Sequence, residues 1–136
     1  MTAIAAHRTK TRQRAGDQFV RKMGAVKIHG GTIVMLNATG FATSGATATG
    51  QIADGVAMET VDNSGGAAGD KSIRTEKGVF CFENSTAADA ITIADIGDNC
   101  YIVDNQTVAK TDGSASRSVA GKIMDVDAEG VWVLFA

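Results

Sequence analysis

The chain has 136 residues, 44% of them apolar and only 5% aromatic, with 16 glycines and no proline. That length suits one domain with a modest core of small side chains, and tight turns fall to Gly, Asn, Asp or Ser, which favours short strands over a helix bundle. No apolar run approaches the ~20 residues of a membrane-spanning helix.

The net charge of −2 hides an asymmetry. Residues 1–27 carry seven basic side chains (Arg8, Lys10, Arg12, Arg14, Arg21, Lys22 and Lys27) against one acid, Asp17, whereas the remainder has six basic and fourteen acidic residues. A basic arm is therefore joined to an acidic body, a separation that steers partners and neighbouring subunits. The arm lacks the apolar segment of a secretory signal, so the reading is a soluble protein made inside a cell. Its composition also suits a mitochondrial targeting peptide or a segment that orders on binding. Cys81 and Cys100 form no CxxC and have no neighbouring His. They read as two buried thiols, although a disulfide between strands is geometrically possible, and zinc has too few candidate ligands.

Residues 1–24 show no sustained periodicity and read as an extended N-terminal arm, with 25–136 as a single β-rich domain. "AVKIHGGTIVMLNATG" reads as strand, Gly-Gly turn, strand and turn. "GQIADGVAMETVDNSGGAAGD" gives a second strand region ending in a flexible surface loop. "KSIRTEKGVFCFENS" alternates around Ile73, Val79, Phe80 and Phe82, with Lys77-Gly78 as a turn. Thr92 and Asp95 match a capping box and predict one short helical turn near 92–97. Asp104-Asn105 suits a tight hairpin turn, and "SVAGKIMDV" and "GVWVLF" form a terminal hairpin with Gly130 at its left-handed position. The expected class is mainly β, a small antiparallel barrel or sandwich with a basic arm and at most one short helical turn. An echo between "GVAMETVDNSG" and "GKIMDVDAEG" suggests either a repeat or shared strand–turn grammar.

Several apparent sites fail on spacing. A phosphate-binding loop ending at Gly121-Lys122 needs Gly at 116 and a hydroxyl at 123, where the chain has Ser116 and Ile123. A calcium loop opening at Asp125 and running through Asp127 and Glu129 needs a bidentate Glu at its twelfth position, which is Ala136. His7 and His29 have no nucleophile beside them, and Asp112 with its neighbouring hydroxyls has no His for a relay. The loop 62–70 resembles an anion nest, but Asp62 and Asp70 would repel phosphate. No catalytic residue, cofactor site or metal site is assigned, and no enzyme activity is expected.

From about residue 30 to 135 the chain resembles the small capsid cement, or head decoration, proteins of tailed bacteriophages. The stretches that carry this are "GGTIVMLNATGFATSG", "IADGVAMETVDNSGGAAGDKSIRTEKGVFCFENS", "AADAITIADIGDNCYIVDNQTVAKTDG" and "SVAGKIMDVDAEGVWV". The resemblance implies a β-rich, non-enzymatic subunit on the outer surface of the virion, made in the host bacterial cytoplasm. It further implies a homotrimer at threefold or quasi-threefold positions that bridges neighbouring major capsid proteins. Its shell-binding arm would offer Arg8, Lys10, Arg12, Arg14, Phe19, Arg21 and Lys22. Trp132, the only tryptophan, is expected as a core or subunit-interface anchor. The alternative is a nucleic-acid-binding β-barrel using the same arm, disfavoured because Phe19 is the only aromatic available for stacking there.

Overall fold

The computed structural model describes residues 2–136, whose twelve strands form two five-stranded antiparallel sheets and a small ribbon. In chain order they are β1 (Gln18–Lys22), β2 (Lys27–Ile28), β3 (Ile33–Leu36), β4 (Ala42–Ser44), β5 (Ile52–Ala57) and β6 (Val61–Asp62). There follow β7 (Ser72–Glu76), β8 (Gly78–Phe82), β9 (Asn99–Ile102), β10 (Val108–Ala109), β11 (Val119–Asp127) and β12 (Gly130–Phe135). The first sheet runs β1-β7-β5-β3-β4, the second β10-β9-β11-β12-β8, and β2 pairs with β6 in the ribbon. The architecture is sandwich-like rather than a closed barrel. Beyond the named strands, β8 and β10 of the second sheet approach through a bridge between Glu83 and Thr107.

Alternation along the strands builds the main core. Val131, Val133 and Phe135 of β12 point inward with Ile123, Ile102 and Cys100, and meet Ile33, Met35 and Val56 from the first sheet. Phe135 packs edge-on against Phe82, with ring centroids 5.8 Å apart. The opposite face of the first sheet is covered too: Val34, Ala57 and Ile73 pack with Met23, Ala42 and Ile28 in a second cluster. This double burial explains why β3, Ile-Val-Met-Leu, shows no polar alternation.

Four sequence expectations are corrected. Gly30-Gly31 closes no hairpin, because β2 pairs with β6 while β3 pairs with β4 and β5. Lys77-Gly78 is a crossover that carries the chain from the first sheet into the second. There are two single 3₁₀ turns, Ala87–Asp89 and Ile93–Asp95, rather than at most one. Residues 18–22, read as part of the arm, pair with β7 along five residues, so the sheet begins at Gln18.

Other expectations agree with the structure. The Thr92 N–H donates to Asp95 Oδ2 at 2.8 Å, as the capping box requires. The β9–β10 turn is held by the Gln106 N–H donating to Asp104 Oδ1 at 2.9 Å. Gly130, with φ 144°, opens β12 after the terminal turn. The echo proves to be grammar: Asp62 and Asp127 each accept from the backbone N–H two residues on. Their settings differ, since β5 and β6 lie in different sheets while β11 and β12 form a hairpin.

Gly121 has its own packing reason. A Cβ there would lie 2.1 Å from the Leu134 carbonyl oxygen, so β11 and β12 approach too closely for any side chain. The Gly121→Ala variant is expected to lose about 1–3 kcal/mol of stability, as overpacking does. Denaturant unfolding with an unchanged midpoint would contradict this approach.

Candidate functional site

The arm stands apart from the body. Residues 2–17 are exposed, and among the described residues 2–16 make no hydrogen bond or ion pair with the domain. Arg8, Lys10 and Arg12 therefore project freely, as does Lys22 on the edge strand, while Arg14 borders a groove beside Val20 and Met58. Order begins at the root, where the Asp17 carbonyl accepts from the Lys77 N–H at 2.7 Å and β1 pairs with β7.

Arg21 is not a free arm residue, because it belongs to a buried ionic latch. The register of β3 against β5 shifts between Val34 and Met35, which face Gly55 and Ala53 respectively and leave Asp54 as the extra, bulged residue. The bulge turns Asp54, only 2% exposed, toward β7 and β1. There its carboxylate receives Arg21 Nε at 2.9 Å and Nη2 at 2.7 Å, and the Thr75 hydroxyl at 2.7 Å. Lys77 Nζ donates to the Asp54 carbonyl oxygen at 2.7 Å. Phe19 completes the group, with Arg21 Cζ 4.5 Å and Lys77 Nζ 5.6 Å from its ring centroid. Phe19 and Arg21 are thus committed to anchoring the arm.

Burial alone would push the Asp54 carboxyl up, but hydrogen bonds from Arg21 and Thr75 and the charges of Arg21 and Lys77 outweigh it and hold the group below its ordinary value. The latch therefore contributes fully above the ordinary carboxyl value of 3.8 and is lost as pH falls through the lowered folded value. Removing one partner of a buried pair costs about 3–5 kcal/mol, and Arg21, still 27% exposed, places this pair toward the low end. The Asp54→Ala variant is expected to unfold about 3 kcal/mol more easily at neutral pH. The Asp54→Asn variant should flatten the acid limb of the stability–pH curve; an acid limb identical to that of the unaltered protein would refute the latch.

The remaining apparent sites resolve into architecture. Gly121-Lys122 lies inside β11 rather than at a helix start. Asp127 accepts from Trp132 Nε1 and from the Glu129 N–H, each at 2.8 Å, and so braces the hairpin. Among the described residues no group of three or more His, Cys, Asp or Glu is placed to hold a metal ion. In the loop between β10 and β11 Gly113, Ser114 and Ala115 have φ of 62°, 60° and 63°, and Arg117 Nη1 donates to Asp89 at 3.2 Å. The loop 62–70, expected to be a flexible surface loop, is tied to the core by Asn63 Nδ2, which donates to Gly24 and Ala67 carbonyls at 3.0 Å.

Both cysteines are free: Cys100 is buried in the core with its thiol pushed up to about 12 by burial, and Cys81 lies half-buried on β8. Trp132 is not a core anchor, because its neighbours Val131 and Val133 take the inward positions. The sequence reading missed Asp54, Thr75 and Lys77. One signal was available, a glycine beside an acid within the strand pattern of "IADGVA", since Gly inside a strand marks a bulge. No known family model, curated protein or solved structure matches the chain.

Proposed function

We propose that the protein is a structural decoration subunit of a tailed-phage head, holding neighbouring major capsid proteins together from outside. The observation that carries this reading is the free basic arm, exposed along residues 2–17 and rooted by a buried ion pair in an acidic domain. Such an arm reaches an acidic surface while its root stays fixed. Ordering it costs about 1–2 kcal/mol per residue, which charge pairing by Arg8, Lys10, Arg12 and Arg14 offsets in part. The free edge of β1 offers a supplementary main-chain contact. Many copies on one shell, grouped as trimers at threefold positions, then act together although each contact is weak.

A protein partner is favoured over nucleic acid because Phe19 lies beneath Arg21 and Lys77 and is not free to stack on bases. Deleting residues 2–16 leaves β1 and the latch intact and is expected to give a folded domain that no longer decorates expanded heads, measured by cosedimentation. Normal decoration by the truncated protein would overturn the arm's role. Steeply salt-dependent binding of DNA by the full chain would favour the nucleic-acid alternative.

A further inference from the structure

Strands β8 and β12 are adjacent and carry no polar side chain, reading Gly-Val-Phe-Cys-Phe and Gly-Val-Trp-Val-Leu-Phe. A sheet with one wet face alternates apolar and polar residues; unbroken apolar strands belong where both faces are covered. Within this molecule β3 obeys that rule, having a core on each side. On β8 and β12 the inward residues fill the core, but the outward ones, paired in register as Val79 with Leu134 and Cys81 with Trp132, belong to neither buried cluster, Val79 being exposed and the other three half-buried. Val79 is 45% exposed. At the far end of this face Lys122 stands across from Leu134, whereas Asp125, directly across from Trp132, and Glu129 at the hairpin turn give the near end its negative charge. Neither makes an ion pair among the described residues.

A second unpartnered patch has the opposite charge. At the β1 edge Val20, 66% exposed, alternates with Gln18 and Lys22, while the latch side chains Phe19 and Arg21 take the other face. Beside Val20 lies Met58, 45% exposed, in a groove of about 400 Å³ that Arg14 also lines. Arg14 and Lys22 have no ion-pair partner among the described residues. The acidic end of the first patch and the basic border of the second are complementary, and each adjoins exposed apolar side chains.

We propose that the outer face of β8 and β12 is covered by a second copy of this chain, which offers its Val20–Met58 groove so that Arg14 and Lys22 meet Asp125 and Glu129. Joining two different patches closes copies into a ring or reciprocates within a pair. The distal arm residues Arg8, Lys10 and Arg12 stay free for another surface. This contact does not depend on the head-decoration reading, and it is tested without heads.

Trp132 is the sole indole and sits in the proposed contact, so its emission reports association directly. Sedimentation velocity and Trp emission on the full chain, from micromolar to millimolar concentration, should show assembly with a matching blue shift. Asp125→Lys and Arg14→Glu, both at exposed positions, should each weaken association roughly tenfold or more, and combining the two substitutions in one chain should restore it. A wild-type monomer with concentration-independent emission overturns the proposal, as does an assembly that neither variant weakens or that the doubly substituted chain fails to restore. Either failure leaves decoration of heads standing; normal decoration by the protein lacking residues 2–16, with self-association of the full chain intact, overturns the arm's role and leaves this contact standing.

Discussion

The Asp54 carboxylate is the charge around which the rest of the domain is arranged. A buried carboxylate without partners would be costly, and each partner it recruits comes from a different part of the chain: Arg21 from the edge strand, Thr75 from β7, and Lys77 from the crossover between sheets. One group thus fixes the end of the arm, the place of β1 in the sheet, and the point where the chain leaves one layer for the other. The bulge that turns Asp54 inward in turn needs Gly55, because a Cβ there would fall 2.4 Å from the Glu76 carbonyl oxygen.

Much of this fold is legible in local sequence. Asp-and-Gly turn chemistry marks the terminal hairpin, the β9–β10 turn and the Thr92–Asp95 cap, because those features depend on residues only two to four apart. Partner choice is not legible in the same way. Gly30-Gly31 and Lys77-Gly78 each announce a bend, but a bend does not say whether the chain returns to its own strand or moves to another layer. The arm boundary and the missed latch share one cause. Arg21 and Asp54, each taken alone, look like solvent-facing charges, and only their meeting across 33 residues makes both of them inward-facing. The exposure of Arg8, Lys10 and Arg12 was within reach of sequence because nothing in the domain is needed to explain it.

The charge division between arm and body gains a finer grain from the structure. Most of the ion pairs within the domain join residues of the body, as Arg74 with Glu59 and Arg117 with Asp89. Arg21 is the member of the basic segment drawn inside, while its neighbours remain outward. The acidic turn at Asp127 and Glu129 serves the hairpin and at the same time places negative charge at one end of the apolar face of β8 and β12, where burial first and these two charges second raise the Cys81 thiol above its ordinary value.

The crossover at Lys77 has a mechanical meaning. Because β1 lies antiparallel to β7 over five residues, a pull on the arm along the strand direction loads those hydrogen bonds side by side, in shear, rather than one after another as in peeling. The ion pair at Arg21 sits within that ladder and adds a charged pin to it. The Lys77 N–H bond to the Asp17 carbonyl and the ion pair of Lys77 with Asp54 tie the root of the arm to the crossover as well, so a load at the root is shared between β7 and the segment that leads into the second sheet.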